Sequence, residues 1–94
     1  MAAEETITNA LEMLPVVSIP EMRARIDEID MTFIQLWRER AELSRRIGAM
    51  RLADGGTRLV LSRETEILQR FRDGVGSDGT QLALLLLRAG RGPL

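Results

Sequence analysis

Four arginines, Arg23, Arg40, Arg51 and Arg63, are the residues whose type and spacing could do chemistry in this sequence. A guanidinium offers fixed positive charge and a planar fork of donors, which suits it to clamping carboxylates and to meeting negative charge as it develops in a transition state. Little other chemistry is open. All 13 basic residues are arginine, and the chain contains no lysine, histidine, cysteine or tyrosine. That composition excludes a Ser-His-Asp triad, a thiol nucleophile, Schiff-base catalysis, Cys- or His-based zinc sites and lysine-dependent phosphate loops. Asp and Glu are left as the ordinary general bases. An enzyme built from these residues works by positioning and by fixed charge.

Arg40 interrupts an otherwise apolar pattern. Met22, Ile26, Ile29, Phe33, Leu36, Arg40, Leu43, Ile47 and Met50 follow one another at alternating steps of four and three. Such a seam is the mark of a helix packed along its length against other helices. Either Arg40 bends to water while its stem packs, or its guanidinium points into the bundle and needs an anion there. Arg51 lies about 20° around the same helix and roughly 16 Å along it, so both can face one small dianion. Arg23 is about 100° off that face and roughly 25 Å away, so it joins the same site only from another subunit. Arg63 stands in the first turn of the next helix, an end that disfavours cations. It either pairs with Glu66 or Glu64 at the surface or serves a ligand. Glu64 itself reads as a first-turn charge complement, and Trp37, beside the seam, as packing.

The elements that must position these residues are all helical. Ser18 and Pro20 mark the start of a long helix, which runs to about Ala53 over roughly 33 residues, ~50 Å of rise. Asp54-Gly55-Gly56 stops it. A second helix is expected from about Val60 to Arg72, broken by Gly74-Val75-Gly76. A third runs from about Gly79 to Ala89, capped by Ser77-Asp78 and ended by Gly90-Arg91-Gly92-Pro93. The run Leu82–Leu87 is expected to cover the long helix as core. The two short helices together are too short for the seam, so a second copy of the chain is expected to complete it. Residues 1–18 read as a flexible N-terminal extension and 19–94 as the helical domain.

Length and charge narrow the partners. A chain of 94 residues makes one small domain, which buries about 60% of its unfolded surface and gains from association. A net charge of −1 argues against nucleic acid and anionic membranes. The stretch 1–20 has acidic residues and no arginine, so it lacks the basic start of a signal peptide, and a cytoplasmic protein is expected.

The run RARIDEIDMTFIQLWRERAELSRRIGAMR, followed by GGTRLVLSRE and the closing LLLLRAGRG, resembles the AroQ-type chorismate mutases. It is most similar to their short actinobacterial, intracellular branch, over about Glu21 to Leu94. The resemblance implies an all-α, three-helix chain in an intertwined homodimer with two equivalent sites. It implies rearrangement of chorismate to prephenate, on the way to phenylalanine and tyrosine, with no cofactor or metal.

By the same resemblance, Arg23 comes from the other subunit to one substrate carboxylate, and Arg40 binds the other. Arg51 meets the ether oxygen, while Arg63 lies near the ring carboxylate and hydroxyl with Glu64 beside the same pocket. Val60 stands where many members carry an acid, and Leu61 where the branch carries a histidine. Pro93 replaces a basic residue in a tail that, in this branch, implies docking to DAHP synthase and activation by it. Isochorismate pyruvate-lyase and aminodeoxychorismate mutase would use similar arginines on the same fold. A non-catalytic helical dimerisation or regulatory module would leave Arg40 and Arg51 solvated.

Overall fold

The computed structural model describes residues 18–57 and 59–92, and among them every regular element is a helix. These are α1 (Ile19–Ala53), α2 (Leu61–Val75) and α3 (Gly79–Arg91). Residues 1–17 of the expected 1–18 extension, and Pro93, lie outside the described residues. No helix among the described residues is long and apolar enough to cross a membrane.

The start of α1 follows from Ser18, whose Oγ accepts a hydrogen bond from the Glu21 N–H at 3.3 Å. That bond satisfies one of the donors that a helix start leaves open. Its 35 residues end where Gly55 adopts φ +83°, a conformation that glycine enters without steric cost. The Gly56 N–H then returns to the Arg51 carbonyl at 2.7 Å.

Two expected stops are passed over. α2 continues through Gly74 to Val75, and α3 through Gly90 to Arg91. An interior glycine costs a helix about 1 kcal/mol, too little to end one that packing supports. At Gly90 the support is visible, since a Cβ there would lie 2.4 Å from the side chain of Ser44. Glycine lets α3 approach α1 closely at this point. The Asp78 side chain makes no capping hydrogen bond at the start of α3, contrary to the sequence expectation.

The described residues divide into two units between Phe33 and Ile34. In the second unit, α2 and α3 make an antiparallel hairpin, with Glu64 beside Arg91 at one end and Phe71 beside Gly79 at the other. Its core is Ile67, Ala83 and Leu87, with Leu68 and Phe71 packed against them. Full burial of an Ile or Leu contributes about 1.5–3 kcal/mol.

The Leu82–Leu87 run therefore divides its residues. Ala83 and Leu87 pack within the hairpin, Leu86 is buried, and Leu84 and Leu85 stay exposed. Consecutive positions on a helix point around the whole axis, so one run cannot cover one neighbour. The described part of the first unit is the beginning of α1, and all its side chains are exposed.

The apolar members of the α1 seam are bare in the single chain, with exposures from 46% at Met22 to 68% at Met50. Arg40 alone in the seam is part-buried.

Candidate active site

A cavity of about 440 Å³ lies within the second unit. α1 supplies Arg40, Leu43, Ser44, Ile47, Gly48 and Arg51 to its wall. Val60 precedes α2, Arg63, Glu64 and Ile67 come from its first half, and Leu87 and Arg91 come from α3. Helical geometry explains the first set. Positions 40, 44, 47, 48 and 51 repeat at three- and four-residue steps and so share a face.

The structure thus brings together Arg40, Arg51, Val60, Arg63 and Glu64 from the sequence expectation. Arg23 belongs to the first unit and is exposed. It does not line this cavity.

Arg40 points inward, since its Nη1 donates to the Leu86 carbonyl at 3.3 Å. Its pKa is lowered, first by partial burial and then by repulsion from Arg63 and Arg70. An arginine remains protonated through such a shift. The shift records a cation held among cations and partly stripped of water, which a bound anion would relieve.

Arg51 sits in the last turn of α1, where a cation complements the helix dipole. Arg63 pairs with Glu66 at 3.2 Å, both side chains being more than half exposed. Of the two surface partners expected for it, Glu66 is the one found. A pair this exposed is worth about 0.2–1 kcal/mol and yields readily to a stronger anion.

Val60 precedes α2 in extended conformation, and no side chain caps that helix end. Its isopropyl group offers a substrate apolar contact and no hydrogen bond.

Glu64 is held by Arg91, whose Nη1 donates to both carboxylate oxygens, at 2.7 and 2.5 Å. Sequence reasoning missed Arg91. Gly90-Arg91-Gly92 reads locally as a helix stop, and a contact spanning 27 residues leaves no trace in local spacing.

Among the described residues, four arginines against one glutamate make the cavity wall cationic. Leu43, Ile47, Ile67 and Leu87 give it an apolar floor, which weakens screening by water. No group of three or more His, Cys, Asp or Glu among the described residues is placed to hold a metal ion. The arrangement is suited to a small, multiply anionic ligand with an apolar body.

The family model for chorismate mutase type II matches residues 22–84, about two thirds of the chain. The chain belongs to the type II chorismate mutases. It is accordingly an isomerase.

Among type II chorismate mutases, it is 49% identical over 91 residues to the intracellular chorismate mutase of Mycolicibacterium smegmatis, covering 97% of this chain and 86% of that protein. The intracellular chorismate mutase of Mycobacterium tuberculosis is 49% identical over 84 residues, covering 89% of this chain and 79% of that one. A solved structure with TM-score 0.78 and 41% identity covers 81% of this chain and 92% of its own. It is a non-covalent complex of DAHP synthase and chorismate mutase from Corynebacterium glutamicum with a bound transition-state analogue.

Proposed function

We propose that the chain rearranges chorismate to prephenate by arginine-based positioning and electrostatic stabilisation, in the route to phenylalanine and tyrosine. The observation that carries this reading is the convergence of Arg40, Arg51 and Arg63 on one cavity in a type II chorismate mutase. The reaction breaks a C–O bond and forms a C–C bond within one molecule. It transfers no proton, hydride or group to the enzyme. A chain without His, Lys, Cys or Tyr lacks none of the tools this chemistry requires. Two things are needed: a compact conformation of a flexible dianion, and positive charge where the breaking bond leaves an oxygen electron-rich.

Arg40 holds one carboxylate, and Arg23 of a second copy holds the other. Arg51 meets the ether oxygen, where charge grows only as the bond breaks, and Arg63 and Glu64 address the ring side with Val60 as apolar wall. The bare seam supports the second copy. Leu43 and Ile47 belong both to that seam and to the cavity wall, so a homodimer that covers the seam also closes the site.

DAHP synthase is the expected activating partner, and the related solved structure is a non-covalent complex of a chorismate mutase with that enzyme. Cytoplasmic location agrees with relatives named intracellular.

The test follows the loss of chorismate absorbance on adding purified protein, with and without DAHP synthase. Isochorismate and aminodeoxychorismate serve as parallel substrates. Turnover of chorismate to prephenate is expected. Turnover of one of the other two alone would reassign the substrate.

A further inference from the structure

Arg91 lies beyond the residues matched by the family model, which end at 84, yet it lines the same cavity as Arg40, Arg51 and Arg63. The ion pairs Arg25–Glu28, Arg45–Glu42, Arg46–Glu42 and Arg63–Glu66 each lie within one helix and are largely exposed. The Arg91–Glu64 pair differs on both counts. It joins α3 to α2 across 27 residues, and each of its side chains is only 20% exposed. Both ends suit their helices, Glu64 in the first turn of α2 and Arg91 at the close of α3.

Among the described residues, Glu64 is the one carboxylate on the cavity wall. A part-buried carboxylate needs a cationic partner. If Arg91 did not take it, the next guanidiniums on that wall would be those of Arg63, Arg40 and Arg51.

We propose that Arg91 is a positioning residue that sequesters the Glu64 carboxylate and so leaves the cavity arginines free for the substrate's own carboxylates. This rests on the reading of the cavity as a chorismate site. Without Arg91, Glu64 turns to those arginines and competes with the dianion. The competition opposes substrate binding more than the chemical step, so the loss appears in KM. It depends on the Glu64 charge, so it vanishes when that charge is removed.

The experiment measures chorismate kinetics on the full chain for wild type, Arg91→Met, Arg91→Lys, Glu64→Gln and the double variant Arg91→Met/Glu64→Gln, with circular dichroism for folding. Arg91→Met keeps the packed stem and loses the charge. It should raise KM roughly tenfold or more with kcat within about threefold. Arg91→Lys should recover most of that loss. In the Glu64→Gln background, Arg91→Met should change KM by less than about twofold.

An unchanged KM in folded Arg91→Met would overturn the proposal. An equal rise in both backgrounds would also overturn it, making Arg91 a direct substrate contact. If Arg91→Met and Arg91→Lys both failed to fold, the pair would be a structural tie, which overturns it too. A wild type inactive on chorismate would overturn the functional reading itself, a result distinct from these.

Discussion

The α2–α3 hairpin and the seam of α1 handle apolar surface in opposite ways. The hairpin buries Ile67, Ala83 and Leu87 against each other within one chain. The seam keeps a stricter apolar repeat over a longer helix, and its apolar members remain about half exposed or more. Seam residues of this kind are each worth about 1.5–3 kcal/mol when fully buried. A stripe of them left to water, interrupted at Arg40, has the character of an interaction surface. The hairpin is a core that the chain completes alone, whereas the seam is the half of a core that the proposed second copy would complete. The cavity sits where the two regimes meet, with Ile67 and Leu87 from one and Leu43 and Ile47 from the other.

A charge placed in the seam should break this comparison most severely. Ile29→Asp puts a carboxylate among the apolar positions, so sedimentation should show the mass fall from about twice the 10.5 kDa chain to the single chain. Activity should fall by more than the roughly 10²–10³ typical of losing one transition-state donor. A folded, fully active monomer would show that the site needs no second copy.

Next in size are the two arginines of α1 that share the cavity. Arg51→Ala should lower kcat by about 10²–10³, roughly 2.7–4 kcal/mol, and more than it raises KM. Arg51→Gln, which keeps a neutral donor, should recover part of that. Arg40→Ala should act mainly on KM, since a carboxylate clamp serves substrate and transition state alike. Steady-state kinetics separate the two patterns.

Smaller effects sharpen the contrast between the regions. Ile67→Ala removes a buried hairpin side chain and should cost about 2–5 kcal/mol in denaturant unfolding, with the oligomeric mass retained. Phe33→Ala should instead make the unfolding midpoint depend more steeply on protein concentration, as expected when association carries the stability.

The smallest effect belongs to Glu42, whose carboxyl is held below its ordinary range by hydrogen bonds from Arg45 and then Arg46. A lowered carboxylate pKa gives stability that is present above the unfolded value and lost as pH falls through the folded one. The loss thus falls on the acid side, below the usual carboxylate range. Because the side chain is exposed, Glu42→Gln should only slightly flatten the acid limb of Tm against pH.

Helix starts and the seam were legible because they are written locally. Ser18 caps α1 and Asp54-Gly55-Gly56 ends it, as the residue types require. Arg40 stands out because it breaks a repeat, and it meets at one cavity both Arg51, which shares its helix face, and Arg63, which is marked by its place in a helix's first turn. The illegible features were tertiary. Gly90 reads as a helix stop until Ser44 is seen against it. Glu64 reads as a dipole complement until Arg91 is found holding it. The leucine run reads as a cover for α1, yet Ala83 and Leu87 turn to α2, which had an apolar face of its own.

The central claim is a site built from Arg51 of one chain and Arg23 of another, and mixing two inactive variants tests it most directly. Arg23→Ala and Arg51→Ala should each be nearly inactive alone. Unfolded and refolded together in equal amounts, they form mixed dimers in which one of the two sites carries neither substitution. Random pairing then restores about a quarter of wild-type turnover per chain. Activity that stays at the level of the separate variants, with mixed dimers present by mass, would contradict the shared site and confine the chemistry to a single chain.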